Sequence, residues 1–237
     1  HLESGYKSNN ILKPFPEELV RGIVSRFSDI LVVDGDSQYN NILKFIKNKK
    51  IIRISRNTIY DSVHEFLEQR ISPFDNTLTV TIHRTENIYN KKALRSLVFL
   101  LIDIDTKYKF DKIQWFCHDV TLNMLKKYNL IIELEKNEII VRTLLTHENF
   151  IKELINSKLV ITDGGSISEE CSILGLNTII WRDVVEDRRY LNRNVILSEY
   201  DSETIYNFMD NLSEKRNIIS TVQSPSAELV DKLLKII

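Results

Sequence analysis

Apolar positions recur along the chain with two periods, and the two alternate. Short continuous apolar runs read as buried strands, and stretches with apolar residues three and four apart read as amphipathic helices. Strands are predicted at 29–33, 50–54, 78–82, 112–117, 159–162, 178–181 and 195–197, with shorter ones at 130–134 and 139–141. Helical period covers 16–27, 37–47, 57–69, 90–104, 122–128, 148–156, 166–174, 202–212 and 226–237. Pro16 stands at the first-turn position that proline favours, with Glu17 and Glu18 at the positive end of the helix dipole. Pro73, Asp75 and Asn76 break the third helix. Strand and helix alternate throughout, which predicts an α/β fold of parallel sheets with helices on both faces.

Sheets of this kind bind ligands beyond the carboxyl ends of their strands, near the point where strand order reverses. The polar clusters fall at such ends. His83, Arg84, Glu86 and Asn87 follow the strand ending at Ile82, and His118 and Asp119 follow Cys117. Residues 163–166 follow Thr162, and Arg182, Asp183 and Glu186 follow Trp181. The stretch 159–175 is the most informative: an apolar strand, a turn at Gly164 and Gly165, then a helix. Ser166 reads as its N-cap and Glu169, three residues on, as the second half of a capping box. Backbone N–H groups at such a helix start seat a phosphate. The carboxylate of Glu170 beside it suits a ribose diol. With the glycines alone, an ordinary strand-to-helix connection is the favoured reading.

Composition narrows the partners. The 237 residues are 43% hydrophobic and 27% charged with a formal net charge of -1, as in globular proteins of one large domain or two small ones. No basic block stands out, so neither nucleic acid nor an anionic membrane is a favoured partner. No apolar run reaches the length of a membrane span, and the first ten residues are polar rather than leader-like. Cys117 and Cys171 have no CxxC partner and read as reduced thiols of a cytoplasmic protein. The histidines lack paired ligand spacing, so neither metal nor cofactor is expected.

Five segments, in order, carry a resemblance. They are His1-Leu-Glu-Ser-Gly-Tyr-Lys-Ser followed by Pro14-Phe-Pro-Glu-Glu-Leu-Val-Arg, then Arg56-Asn-Thr-Ile-Tyr-Asp, Thr81-Ile-His-Arg-Thr-Glu-Asn, Thr162-Asp-Gly-Gly-Ser-Ile-Ser-Glu-Glu and Arg182-Asp-Val-Val-Glu-Asp. The chain resembles the non-hydrolysing UDP-N-acetylglucosamine 2-epimerases over nearly its whole length. The resemblance implies a GT-B-like pair of Rossmann-like domains. Residues 1–57 would be the tail of the first, and 58–237 the UDP-binding second, with the last helix packing back. The family's N-terminal sheet lies upstream of His1, so the chain reads as a fragment. The implied reaction converts UDP-GlcNAc to UDP-ManNAc by elimination and re-addition of UDP, in a cytoplasmic homodimer feeding polysaccharide synthesis.

The same resemblance makes Glu3 and Glu17 catalytic carboxylates and places His83 near the diphosphate. Arg21, four residues after Glu17, either orients it or touches phosphate. Arg84 is a phosphate contact or an ion-pair partner of Glu86. Gly164, Gly165 and Ser166 match the phosphate turn, with the serine moved to its other side. Glu170 matches the ribose-binding glutamate. Asp187 stands where the family has arginine, and Arg188 or Arg189 could restore that cation by a shift in register. His118 and Asp119 read as structural, and His64 and His147 as ordinary helical residues. A GT-B glycosyltransferase using a UDP-sugar has no reason to keep both Glu3 and Glu17, and an inactive UDP-sugar-binding homologue is the other alternative.

Overall fold

The computed structural model describes residues 1–7, 17–46, 48–67, 75–185, 187–192, 194–214, 218 and 223–236. Residues 8–14, Pro16, Pro73, Glu186 and the side chain of Glu17 lie outside them. The chain forms two compact units. Unit 1 comprises His1–Glu65, Val184–Arg189 and Ser220–Ile237, and unit 2 comprises Phe66–Asp183 and Tyr190–Ile219. The chain thus enters unit 1 three times.

Unit 1 contains α1 (Glu17–Phe27), β1 (Ile30–Val33), α2 (Asp36–Phe45), β2 (Lys50–Arg53) and most of α3 (Ile59–Leu67). β1 and β2 run parallel, with Ile30 opposite Lys50 and Val33 opposite Arg53. Successive side chains of a strand point to opposite faces, and β1 follows this rule. Leu31 and Val33 pack with Ile42 of α2, while Val32 packs with Ile52, Ile54 and Leu229. The first residues run beside β1: Val32 N donates to the His1 carbonyl, and Ser4 N donates to the Val32 carbonyl, both at 2.9 Å. Those bonds fix the position of Glu3.

Unit 2 begins with β3 (Asp75–Thr81), α4 (Thr85–Ile88), α5 (Lys91–Tyr108), β4 (Lys112–Cys117), α6 (Asp119–Lys127), α7 (Ile131–Lys136) and β5 (Ile140–Thr143). It continues with α8 (His147–Asn156), β6 (Ser157–Thr162), α9 (Ser166–Leu174), β7 (Thr178–Ile180), β8 (Val195–Leu197) and α10 (Ser202–Met209). Finally α11 (Pro225–Leu234) joins unit 1, where its Leu229 meets the sheet. The six strands of unit 2 are all parallel, in the order β5-β4-β3-β6-β7-β8. This is the doubly wound order, in which the chain builds outward from a central first strand and then returns to its other side. The reversal falls between β3 and β6. Helices cover both faces, so the strands are continuous apolar runs. Leu78, Val80, Trp115 and Ile161 are fully buried, packed with Leu97 and Leu101 of α5.

One predicted strand is overturned. Residues 130–134 enter helix α7 instead. Leu130 and Leu134, four apart, are buried while Ile132 is exposed. A strand would have turned all three the same way, whereas a helix separates Ile132 from the other two.

Candidate functional site

The crevice at the strand reversal is built around Asp163, the first residue after β6. It is fully buried. β3 ends beside β6, with Thr81 paired to Thr162, so the residues that follow each strand meet. Asp163 Oδ2 accepts the backbone N–H groups of His83 (3.0 Å) and Arg84 (2.7 Å) and the Asn87 amide (3.2 Å). Asn87, also buried, donates to the Trp181 carbonyl at 3.3 Å and accepts from the Tyr200 hydroxyl at 3.0 Å. One carboxylate therefore ties together the ends of β3, β6 and β7. Burial pushes the Tyr200 hydroxyl up to about 12, so it serves as a donor.

The turn after Asp163 needs its glycines. Gly164 has φ +96° and Gly165 φ +72°, conformations that side chains with a Cβ rarely adopt. The expected capping box does not form. Gly165 is the N-cap of α9 and offers no side-chain cap to the helix. The cause lies in the backbone: the positive-φ turn ends at Gly165, one residue earlier than a serine cap would require, so Ser166 is already the first helical residue. Ser168 instead donates to the Gly165 carbonyl at 2.8 Å. The helix start is left facing out, with Gly165 and Ser166 exposed. Two guanidinium groups flank it. A Cβ on Gly164 would lie 3.6 Å from Arg182 Nη1, and one on Gly165 3.8 Å from Arg84 Nη2. Arg182 is almost wholly buried, and its Nη2 lies 3.7 Å from Glu86. Amides at a helix start with two cations beside them make an anion seat.

His83 sits at the rim. Its Nδ1 lies 3.3 Å from Asp163 Oδ1, close enough for attraction but out of line for a hydrogen bond. Burial holds its pKa below the usual imidazole value; Asp163 opposes this shift, and His118 and Arg84 add to it. His83 is therefore neutral at pH 7. His118, read from sequence as structural, is its neighbour, with ring centroids 5.3 Å apart.

Glu170 lies in the next turn of α9, with its side chain only 4% exposed. Burial raises its pKa, and His147 partly offsets this. His147 Nε2 is 3.0 Å from Glu170 Oε1. Reading His147 as an ordinary helical residue is thus corrected: it opens α8 and reaches the one buried carboxylate of α9.

The remaining predicted residues belong to unit 1. Glu3 is exposed, with φ +55°, and its Oε1 accepts from the Asn57 amide at 3.2 Å. Arg21, with Tyr6, Asn41 and Phe45, lines an open cavity of about 470 Å³. Arg188 is exposed. Arg189 is the engaged cation. Its Nη1 donates to the Asp34 carbonyl at 2.6 Å, its Nε to Asp187 at 2.8 Å and its Nη2 to the Tyr6 hydroxyl at 3.1 Å. Tyr6 in turn donates to Asp34 at 2.6 Å. Asp34 and Asp187 hold this guanidinium charged against the cost of its partial burial. Gly35 leaves room for it, since a Cβ there would fall 2.4 Å from Arg189 Nη1.

Among the described residues, no group of three His, Cys, Asp or Glu side chains is placed to hold a metal ion. Cys117 and Cys171 are buried and neither is in a disulfide. No described helix is long and apolar enough to cross a membrane.

The family model for UDP-N-acetylglucosamine 2-epimerase matches residues 1–231. The chain belongs to this epimerase family. The UDP-N-acetylglucosamine 2-epimerase of Methanococcus maripaludis is 30% identical over 226 residues, which cover 90% of this chain and 61% of that protein. The one from Methanocaldococcus jannaschii is 28% identical, over 92% of this chain and 63% of its own length. The chain thus spans somewhat over half the length of the curated relatives it matches. The crystal structure of the Methanocaldococcus jannaschii epimerase in complex with UDP-GlcNAc and UDP superposes with a TM-score of 0.85 at 25% identity, over all of this chain and 68% of that one. The Neisseria meningitidis epimerase bound to UDP-GlcNAc gives 0.79 at 20% identity, over 99% and 69% respectively, a likeness of fold. The GT-B-like architecture expected of the chain is that of these epimerases.

Proposed function

We propose that the protein is a UDP-GlcNAc 2-epimerase in which unit 2 binds the UDP moiety. One observation carries the reading: a helix start behind Gly164 and Gly165, flanked by Arg84 and Arg182, with buried Glu170 one turn on. The diphosphate sits on the amides of the turn and of Ser166, with the two guanidiniums neutralising charge. Glu170 accepts from the ribose hydroxyls. Neutral His83 donates to the departing diphosphate oxygen as the bond breaks. One carboxylate takes the C2 proton, and the C1–O bond breaks with its electron pair leaving on UDP, to give a glycal. UDP then returns to C1 while a proton is delivered to the opposite face of C2, which inverts that centre. Glu3 and Glu17 are the carboxylates we assign to these proton transfers, with Arg21 orienting Glu17. Arg188 is the exposed cation we assign to a further phosphate contact.

Because the chain covers 61% of the length of the Methanococcus maripaludis epimerase, the segment alone is expected not to turn over. We place the whole protein in the cytoplasm as a homodimer serving polysaccharide synthesis, and light scattering tests the dimer. The test of chemistry is exchange of the C2 proton of UDP-GlcNAc with solvent deuterium, using protein of the relatives' full length. Exchange together with UDP-ManNAc formation is expected. UDP binding without exchange would leave an inactive UDP-sugar-binding homologue as the reading.

A further inference from the structure

The contact between His147 and Glu170 plays no part in the reaction described above. It deepens the nucleotide-site reading and rests on it. Glu170 is buried to within a few per cent, and the partner recorded for its carboxylate is the imidazole of His147. An ionised carboxylate only accepts hydrogen bonds, so in that state the Nε2 atom, at 3.0 Å, is the donor. His147 comes from the start of α8, an element separate from α9, and its ring is half exposed.

The torsion that turns a glutamate carboxylate is soft. Left alone, the Glu170 group could rotate, and burial would favour its protonated form. A protonated carboxyl has lost acceptor capacity and carries a donor where the hydroxyls of a ribose diol also need to donate. The imidazole counters both. It fixes Oε1 from one side, favours the ionised form against the effect of burial, and leaves Oε2 and the second lone pair of Oε1 for two adjacent O–H groups.

We propose that His147 is a positioning residue that sets the preference of the nucleotide site for a ribose bearing both its 2′ and 3′ hydroxyls. It acts through Glu170 and has no role in bond breaking.

The test is calorimetric binding of UDP and of 2′,3′-dideoxy-UDP at one pH to the wild-type protein, His147→Ala and His147→Gln. The wild type should prefer UDP. His147→Ala should lower that preference about tenfold, the worth of one hydrogen bond to a charged group, by weakening UDP and leaving the dideoxy compound unchanged. His147→Gln keeps an N–H donor on a side chain of similar reach and should restore most of the preference. A structural role for His147 would weaken both ligands together and show no rescue by glutamine, and that result overturns the proposal. So does an unchanged preference in His147→Ala. Failure of the nucleotide-site reading looks different: the wild type itself would bind neither compound, or both equally, and the inference would fall with it.

Discussion

In unit 2, β3 and β6 lie inside six strands, with helices on both faces and Leu78, Val80, Trp115 and Ile161 fully buried. In unit 1, a two-stranded sheet is flanked by α2 and α11, while α1 turns Leu19, Val20, Ile23, Val24 and Phe27 outward. A large sheet covered on both faces can bury a polar residue such as Asp163 at the end of a central strand, because several elements supply donors to it. In unit 1 the polar knot of Asp34, Tyr6, Asp187 and Arg189 forms instead on a partly exposed guanidinium. The same kinds of side chain are therefore worth different amounts in the two units. Both tryptophans, Trp115 and Trp181, lie in unit 2, so tryptophan fluorescence follows that unit alone.

The largest expected effect is at Asp163. Replacing it with alanine strands the His83 and Arg84 amides and the Asn87 side chain in a buried site. The loss should be about 3–5 kcal/mol, in the range for breaking a buried charged network. Urea denaturation followed by tryptophan fluorescence measures it. A loss under about 1 kcal/mol would mean that the junction of β3, β6 and β7 does not depend on this carboxylate.

Glu170→Gln comes next, and it should act on binding more than on folding. Loss of the charged acceptor should weaken UDP about ten- to hundredfold, equivalent to about 1.5–3 kcal/mol. The pH dependence carries a definite sign. Burial raises the Glu170 pKa, and only the ionised form accepts from both ribose hydroxyls. Affinity is complete above the raised pKa and falls as pH drops through it, starting at a higher pH than for an ordinary carboxylate. Uridine, which has no titrating phosphate, isolates the effect in a binding titration. Glu170→Gln should flatten that profile, and an unchanged profile would remove Glu170 from the ribose site.

The two units also differ in how much of them is legible in the sequence. The strands of unit 2 are readable because both faces of the sheet are covered, which makes each a plain apolar run ending in polar residues. The doubly glycine turn and Glu170 are readable for the same local reason. Contacts set by strand order are not. Asp163 appears in the sequence as one more residue of a turn, and its role depends on β6 lying beside β3, 76 residues away for Asn87. His147 precedes Glu170 by 23 residues, and only the packing of α8 and α9 in one unit brings them together. Residues 130–134 misled because a short apolar run satisfies strand and helix alike, and the exposure of Ile132 is what tells them apart. In unit 1, the displaced arginine was visible at 188 and 189, but which one is engaged depends on the carboxylate of Asp34, far upstream.

Arg189→Ala should have a smaller effect than Asp163→Ala. It removes the cation from buried Asp34 and from Asp187, yet Arg189 is itself 38% exposed, so water replaces part of what is lost. A cost of about 1–2 kcal/mol is expected. Amide hydrogen exchange should show faster opening at Tyr6, Asp34 and residues 187–189, with the tryptophan signal of unit 2 unchanged. A matching shift in the tryptophan signal would contradict the separation of the two units.

Phe27→Ser is the smallest change and the sharpest probe of unit 1. Phe27 is 78% exposed at the end of α1, beside exposed Val20, Ile23 and Val24. A side chain already in water gives up little burial when replaced, so stability should shift by no more than about 0.5 kcal/mol, read by hydrogen exchange in α1. The contrast with unit 2 can be made within the same experiment by replacing Leu101, which is fully buried in α5, with alanine at an expected cost of about 2–5 kcal/mol. If Phe27→Ser instead cost more than about 1 kcal/mol, its ring would have to be buried in the working protein. The open face of α1 would then be a covered one, and the difference between the two sheets would reflect what lies against them rather than how many strands each contains.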